Sequence, residues 1–317
     1  MLTVKICIAL LPFLALVRAN AIGQQPQLQH LLSEHFEELA KAIKGDEKGT
    51  EPRLVERTMQ KIKDDLAMEM SARIIGGYDV QGVDNAPYLV SLSLTPLIYS
   101  HQCAGAIIGK RWVLTAGHCV EELRRFNGDV IGIPIYAGLS NRSNVSDAQV
   151  RLVDFAATHR QFNGAAGSDN IALLHVSQSF VYSNRVQQIA LPDLDEDYSN
   201  KTAALYGWGL TTADGDEYSK KLQYGFAPLL NSDQCAKLLP SDAPLTRKQV
   251  CTQVKACYGD GGSPLVYWPL TGPAELVGLG SWSYMPCGYA DRPTVYTSVP
   301  AYVDWIYQVI SAYYQLN

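Results

Sequence analysis

Seven cysteines constrain this 317-residue chain more tightly than any other feature. Cys7 falls in an apolar run, Ile6 to Val17, which follows Lys5 and precedes the small residues Ala19 and Ala21. That is the pattern of a secretory signal with alternative cleavage points. The other six, Cys103, Cys119, Cys235, Cys251, Cys257 and Cys287, form an even set. An even set behind a secretory signal implies three disulfides closed in an oxidising compartment. The chain is therefore expected to be secreted and extracellular, with residues 1–21 removed as the signal peptide. Spanning a bilayer takes about 20 apolar residues, and neither this run nor any later one reaches that length, so no membrane association is expected. Sequons at Asn141, Asn144 and Asn200 fit the same route as N-glycosylation acceptors.

The rest of the chain divides in two by texture. Residues 22–73 lack cysteine and carry apolar residues at helical spacing: Leu28, Leu31, Leu32, Phe36, Leu39 and Ile43, then Val55, Met59, Ile62, Leu66 and Met70. Two amphipathic helices of this kind are marginal alone. They read as a helical pro-segment discarded at activation; a partner-holding module is the alternative, and no cysteine is available to tether either to the rest. Residues 74–317 change to short β-rich runs between Gly, Asn and Asp. Tyr88–Leu94, Trp112–Leu114, Ile171–Val176, Ala203–Tyr206 and Leu276–Val277 are the clearest, and many short strands with turn signals indicate an all-β sandwich or barrel. Tyr302–Tyr313 reads as a terminal amphipathic helix. A net charge of −5 offers no electrostatic case for nucleic acid.

Four ordered segments carry the chemistry. Arg73 precedes Ile74-Ile-Gly-Gly77; Thr115-Ala-Gly-His-Cys119 ends an apolar strand; Asn170-Ile-Ala-Leu-Leu174 follows; and Cys257-Tyr-Gly-Asp-Gly-Gly-Ser-Pro-Leu265 comes near the end, before Ser281-Trp-Ser283 and Pro293-Thr-Val-Tyr296. From Ile74 onward, order and spacing resemble the chymotrypsin/trypsin-like serine peptidases. The resemblance implies two packed antiparallel six-stranded β-barrels with a C-terminal helix and a cleft between the barrels. It also implies the pairs Cys103–Cys119, Cys235–Cys251 and Cys257–Cys287. His118 matches the general base, and the oxyanion-hole amides map to Gly259 and Gly261. Cleavage at the Arg73–Ile74 junction by a trypsin-like protease would free an ammonium to pair with Asp260.

The departures from that pattern fall on the chemistry. Asn170 stands where the family places its triad Asp. An Asn can accept a hydrogen bond from the ring, but it can also donate one and select the wrong tautomer, and it carries no charge to balance an imidazolium; in the family mechanism that exchange costs about 10⁴ in turnover. Asp169 is adjacent but points to the opposite face of an extended chain. Gly261 stands where the nucleophilic Ser belongs. Ser263 lies two residues late, about 6–7 Å along extended chain, too far for a base that must be within about 3 Å. In the specificity pocket, Lys255 replaces the acid that binds basic side chains, while Ser283 and Thr294 replace glycines and narrow the entrance. The pocket rejects basic side chains; it reads as vestigial, with acceptance of an acidic side chain the alternative. The six His are scattered, with His101, His159 and His175 read as surface or packing residues, and no metal or other cofactor is expected.

The resemblance thus implies a secreted, non-catalytic serine protease homologue that works by binding, as a regulator, cofactor or decoy in extracellular proteolysis. Its expected partner is an extracellular protein: a protease, its substrate or its inhibitor. The alternative is a weak or unusual serine endopeptidase.

Overall fold

Short apolar runs broken by turn residues become strands throughout the part of the chain that the computed structural model describes: residues 78–80, 86–95, 97–213, 215–288 and 292–316. These lie within one compact unit, Ala72–Asn317. The expected signal peptide, the pro-segment and the Arg73–Ile74 junction lie outside the described residues.

The first barrel is built from β2 (Leu89–Ser93), β3 (His101–Gly109), β4 (Trp112–Thr115), β5 (Pro134–Ala137), β6 (Gln149–Thr158) and β7 (Ala172–Val176). It closes in the order β2-β3-β4-β7-β6-β5, antiparallel throughout. The second uses β8 (Thr202–Gly207), β9 (Gln223–Leu230), β10 (Gln249–Thr252), β11 (Pro264–Tyr267), β12 (Glu275–Trp282) and β13 (Thr294–Ser298). It runs β9-β10-β13-β12-β11-β8, and direct β8–β9 pairing closes it. A short β1 (Tyr78–Asp79) pairs with β9 from outside. Two six-stranded antiparallel barrels are what the resemblance implies, and closure removes the edges an open sheet would expose.

Each barrel has its own apolar filling: Val90, Leu92, Ile107, Val113, Ile135 and Leu174 in the first, and Leu205, Leu229, Leu265, Val277 and Tyr296 in the second. A third cluster fills the seam, with Leu89, Ala104 and Leu114 from one barrel against Tyr206, Trp208 and Leu279 from the other. The seam explains a departure from simple alternation. Val90 and Leu92 face the core, yet Ser91 and Ser93 are fully buried too, because the second face of β2 lies under other elements instead of water. Ser91 Oγ is satisfied there by Tyr99 Oη at 2.9 Å and His101 Nδ1 at 2.7 Å.

Three α-helices complete the described residues. Helix α1 (Gly117–Asn127) starts within the His118 motif and ends at Gly128, whose φ of 76° lets its N–H close on the Arg124 carbonyl. Helix α2 (Ser232–Leu238) opens with a reciprocal capping box between Asn231 and Gln234. Neither was read from the sequence. The expected terminal helix is α3 (Val303–Leu316), anchored by Tyr313 against Trp112 and His175 with ring centroids 5.2 and 4.3 Å apart. The three disulfides are those the resemblance implies: Cys103–Cys119, Cys235–Cys251 and Cys257–Cys287.

Candidate active-site cleft

Three elements deliver the motif residues to one place. The first turn of α1 carries His118, the approach to β7 carries Asn170, and the tight turn before β11 carries Gly261. The turn crosses to the first barrel through the Ala104 N–H, which donates to the Gly261 carbonyl at 2.8 Å.

Asn170 is fully buried, and its orientation follows from its partners. The backbone N–H of His118 donates to Oδ1 at 2.9 Å, so that atom must be the oxygen. Nδ2 faces the Ala165 carbonyl and Ser281 Oγ, each at 2.9 Å. Nδ1 of His118 lies 2.9 Å from Asn170 Nδ2 and 3.2 Å from Oδ1. Ser281 Oγ itself donates to the Ala165 carbonyl at 2.9 Å, so the two amide hydrogens serve Ser281 Oγ and Nδ1; Nδ1 accepts, and a neutral ring keeps its proton on Nε2. Burial holds this imidazole below its ordinary pKa, against the Glu122 charge, which pushes it up. A ring in that tautomer donates from Nε2; it has no lone pair there to take a nucleophile's proton.

The Nε2 atom points at Gly261. An ideal β-carbon on Gly261 would lie 2.5 Å from it, and 3.2 Å from Cys119 Sγ. The imidazole therefore occupies the space of any side chain at this position. Among the described residues, the hydrogen-bonding neighbour of Nε2 is Cys119 Sγ at 3.6 Å. Cys103, His118 and Cys119 bring their ligand atoms within 4.8 Å of one another, but the two sulfurs are joined as a disulfide and offer no thiolate to a metal.

The neighbouring acids and hydroxyls face elsewhere. The Asp169 carboxylate accepts from Lys248 Nζ at 2.9 Å, Ser168 Oγ at 2.7 Å and Tyr302 Oη at 3.2 Å. Ser263 is fully buried and its hydroxyl has no hydrogen-bond partner; it lies on the β8 side, 3.0 Å from where a β-carbon on Gly207 would stand.

Gly259 adopts φ of 89°, a conformation that glycine permits. Among the described residues neither its N–H nor that of Gly261 has an intramolecular acceptor. The turn is held from behind by His101, whose importance the sequence reading missed. Its Nε2 meets the Gly259 carbonyl at 2.8 Å and its Nδ1 meets Ser91 Oγ at 2.7 Å. A carbonyl can only accept, so Nε2 carries the proton and Nδ1 accepts from Ser91. Burial, with help from Arg142, lowers the His101 pKa to about 3, against the pull of the Gly259 hydrogen bond, so the ring stays neutral. Tyr218 packs edge-on against His101 at 5.7 Å. Arg142 holds that segment, donating to the Ser219 and Tyr218 carbonyls at 2.8 Å each, with its guanidinium 5.7 Å from the Tyr218 ring centre.

Asp260 is buried behind the same turn and accepts backbone N–H bonds from Gly209 at 2.9 Å and Cys257 at 3.0 Å. A β-carbon on Gly207 or Gly209 would collide with its carboxylate. Burial raises its pKa to about 7, against the two backbone hydrogen bonds. In the pocket, half-buried Lys255 donates to the Arg292 carbonyl at 2.6 Å and to Gln253 Oε1 at 2.9 Å. Thr294 is buried and accepts from the Ala256 N–H at 3.2 Å; Ser283 follows β12, half-buried. Of the three sequons, Asn144 and Asn200 are exposed, while Asn141 is half-buried and bridges to Lys221.

Residues 74–306 match the family model described as Trypsin. The chain is 34% identical to the lectizyme of Glossina austeni over 272 residues, covering 78% of this chain and 89% of that protein. It is 30% identical to trypsin 5G1 of Aedes aegypti, covering 77% of this chain and 87% of the relative. Bovine coagulation factor XI is 32% identical across 75% of this chain and 38% of its own length.

Proposed function

Because the chain belongs to the trypsin family of serine peptidases, we propose that it is a secreted, catalytically inactive member that acts by binding in extracellular proteolysis. The observation that carries this reading is Gly261 facing His118: the base has no hydroxyl to deprotonate, and its ring fills the place of one. Asn170 adds to it, since the amide N–H toward Nδ1 favours the tautomer that cannot act as a base. The partner is a protease of the same cascade, its substrate or its inhibitor. A trypsin-like protease cutting after Arg73 would release the Ile74 ammonium toward Asp260, and the Cys257–Asp260 turn would then act as a switch for a binding surface.

The test is labelling with a fluorophosphonate, alongside turnover of peptide substrates, on the protein cut after Arg73. No label and no turnover are expected. Turnover abolished by His118→Ala, or a label mapped to Ser263, would overturn the reading and make the chain a weak endopeptidase.

A further inference from the structure

Resting on the reading of the cleft as a binding site, we infer that its ligand is the free C-terminal carboxylate of an already cleaved polypeptide, not an intact peptide bond. Three N–H donors flank Gly261: its own amide, that of Gly259, and His118 Nε2–H. Neither amide has an intramolecular acceptor among the described residues, and Nε2 has only the weakly accepting Cys119 sulfur at 3.6 Å. Gly259 is buried and Gly261 half-buried, and donors left unpaired in such surroundings are rare in folded proteins. They call for an incoming acceptor.

The shape of the donor set selects the acceptor. A peptide carbonyl oxygen would satisfy the two amides, but the next atom along an intact chain is an N–H, which would meet the N–H of His118 donor to donor. A terminal carboxylate puts a second oxygen at that place, and charge-assisted bonds to both oxygens are the stronger kind. Gly261 lacks a side chain to compete for the space, and Asn170 removes the negative charge a triad Asp would have placed behind the ring. The features that disable the base therefore make the same atoms a carboxylate receptor. The class of reaction that supplies such a ligand is peptide-bond hydrolysis by another protease.

The experiment uses the secreted protein, with and without a cut after Arg73. Fluorescent peptides ending in Ala, Leu, Glu or Lys are each prepared as free acid and as amide, with one longer peptide running on through the same sequence. Anisotropy is expected to show at least one free acid binding about tenfold or more tighter than its amide and the run-on peptide, the worth of about one charge-assisted hydrogen bond. His118→Ala, with its fold checked by its melting temperature, should bring the acid to the level of the amide. Equal binding of acid and amide, or no binding of any acid at millimolar concentration in either form of the protein, overturns the inference. The run-on peptide is recovered and weighed by mass spectrometry: its cleavage would sink the non-catalytic reading, whereas its intact recovery with no acid preference would sink the carboxylate inference alone.

Discussion

Nε2 of His118 lies 2.5 Å from the point a β-carbon on Gly261 would occupy, so restoring the nucleophile is not a matter of one substitution. In Gly261→Ser the ring must swing away from the new side chain, and it does so still facing the Asn170 amide. Gly261→Ser alone is expected to react barely, if at all, with a fluorophosphonate. Adding Asn170→Asp supplies a carboxylate that holds Nδ1–H and frees Nε2, and labelling should rise by about 10⁴ over the single variant. Equal rates for the single and double variants would show that Asn170 does not control the tautomer.

The Asp260 carboxyl, raised to about 7 by burial, links stability to pH. Its unfolded value is about 3.9. Between about pH 4 and 7 this carboxyl therefore holds a proton in the folded chain that it has released in the unfolded one, and its contribution to stability falls as pH rises through that window, levelling off above 7. The loss is on the order of 4 kcal/mol at most. His101 and His118, held neutral by burial, raise stability with pH over the same range. The Asp260 effect is therefore read as the difference between urea-unfolding profiles of the uncut protein and of Asp260→Asn from pH 4 to 8. A cut after Arg73 should remove the same contribution, since the released ammonium stabilises the charged carboxylate. A profile unchanged by either would remove Asp260 from the account.

How much of this was legible depends on the range of each interaction. Both barrels and the disulfide pairing are implied by the family resemblance that the ordered motifs carry; the strand texture by itself leaves sandwich or barrel open, and an even set of cysteines does not say which pairs with which. Helix α2 has a local signal of its own, Asn231 three residues before Gln234. His101 had none: its partner Gly259 is 158 residues away, and a lone histidine in a strand looks like packing. The Asn170 substitution was visible, but its consequence turns on whether Nδ2 at 2.9 Å or Oδ1 at 3.2 Å faces the ring, a difference that only folded geometry supplies. Ser263 stands two residues too far along the extended chain, and its burial toward β8 separates it from the cleft a second way.

Arg142 ties the first barrel to the segment that supports His101. Its two charge-assisted bonds to backbone carbonyls use the planar guanidinium fork. Arg142→Ala should lower unfolding stability by about 2 kcal/mol, and Arg142→Lys should recover less than half of that, because an ammonium cannot span both carbonyls. Chemical denaturation of the three proteins measures this. Full recovery by Lys would mean that only charge matters at the position.

Ser263 offers the sharpest contrast between a catalytic and a purely structural hydroxyl. It is fully buried and unpartnered, so the folded state bears the cost of removing a hydroxyl from water without a compensating bond, about 1–3 kcal/mol. Ser263→Ala keeps the β-carbon and removes only the stranded oxygen. It should therefore raise stability by about 1 kcal/mol and leave fluorophosphonate labelling, peptide turnover and carboxylate binding unchanged. A destabilised Ser263→Ala protein would mean that the hydroxyl is hydrogen-bonded in solution. A fall in residual turnover would return Ser263 to the chemistry and the chain to the enzymes.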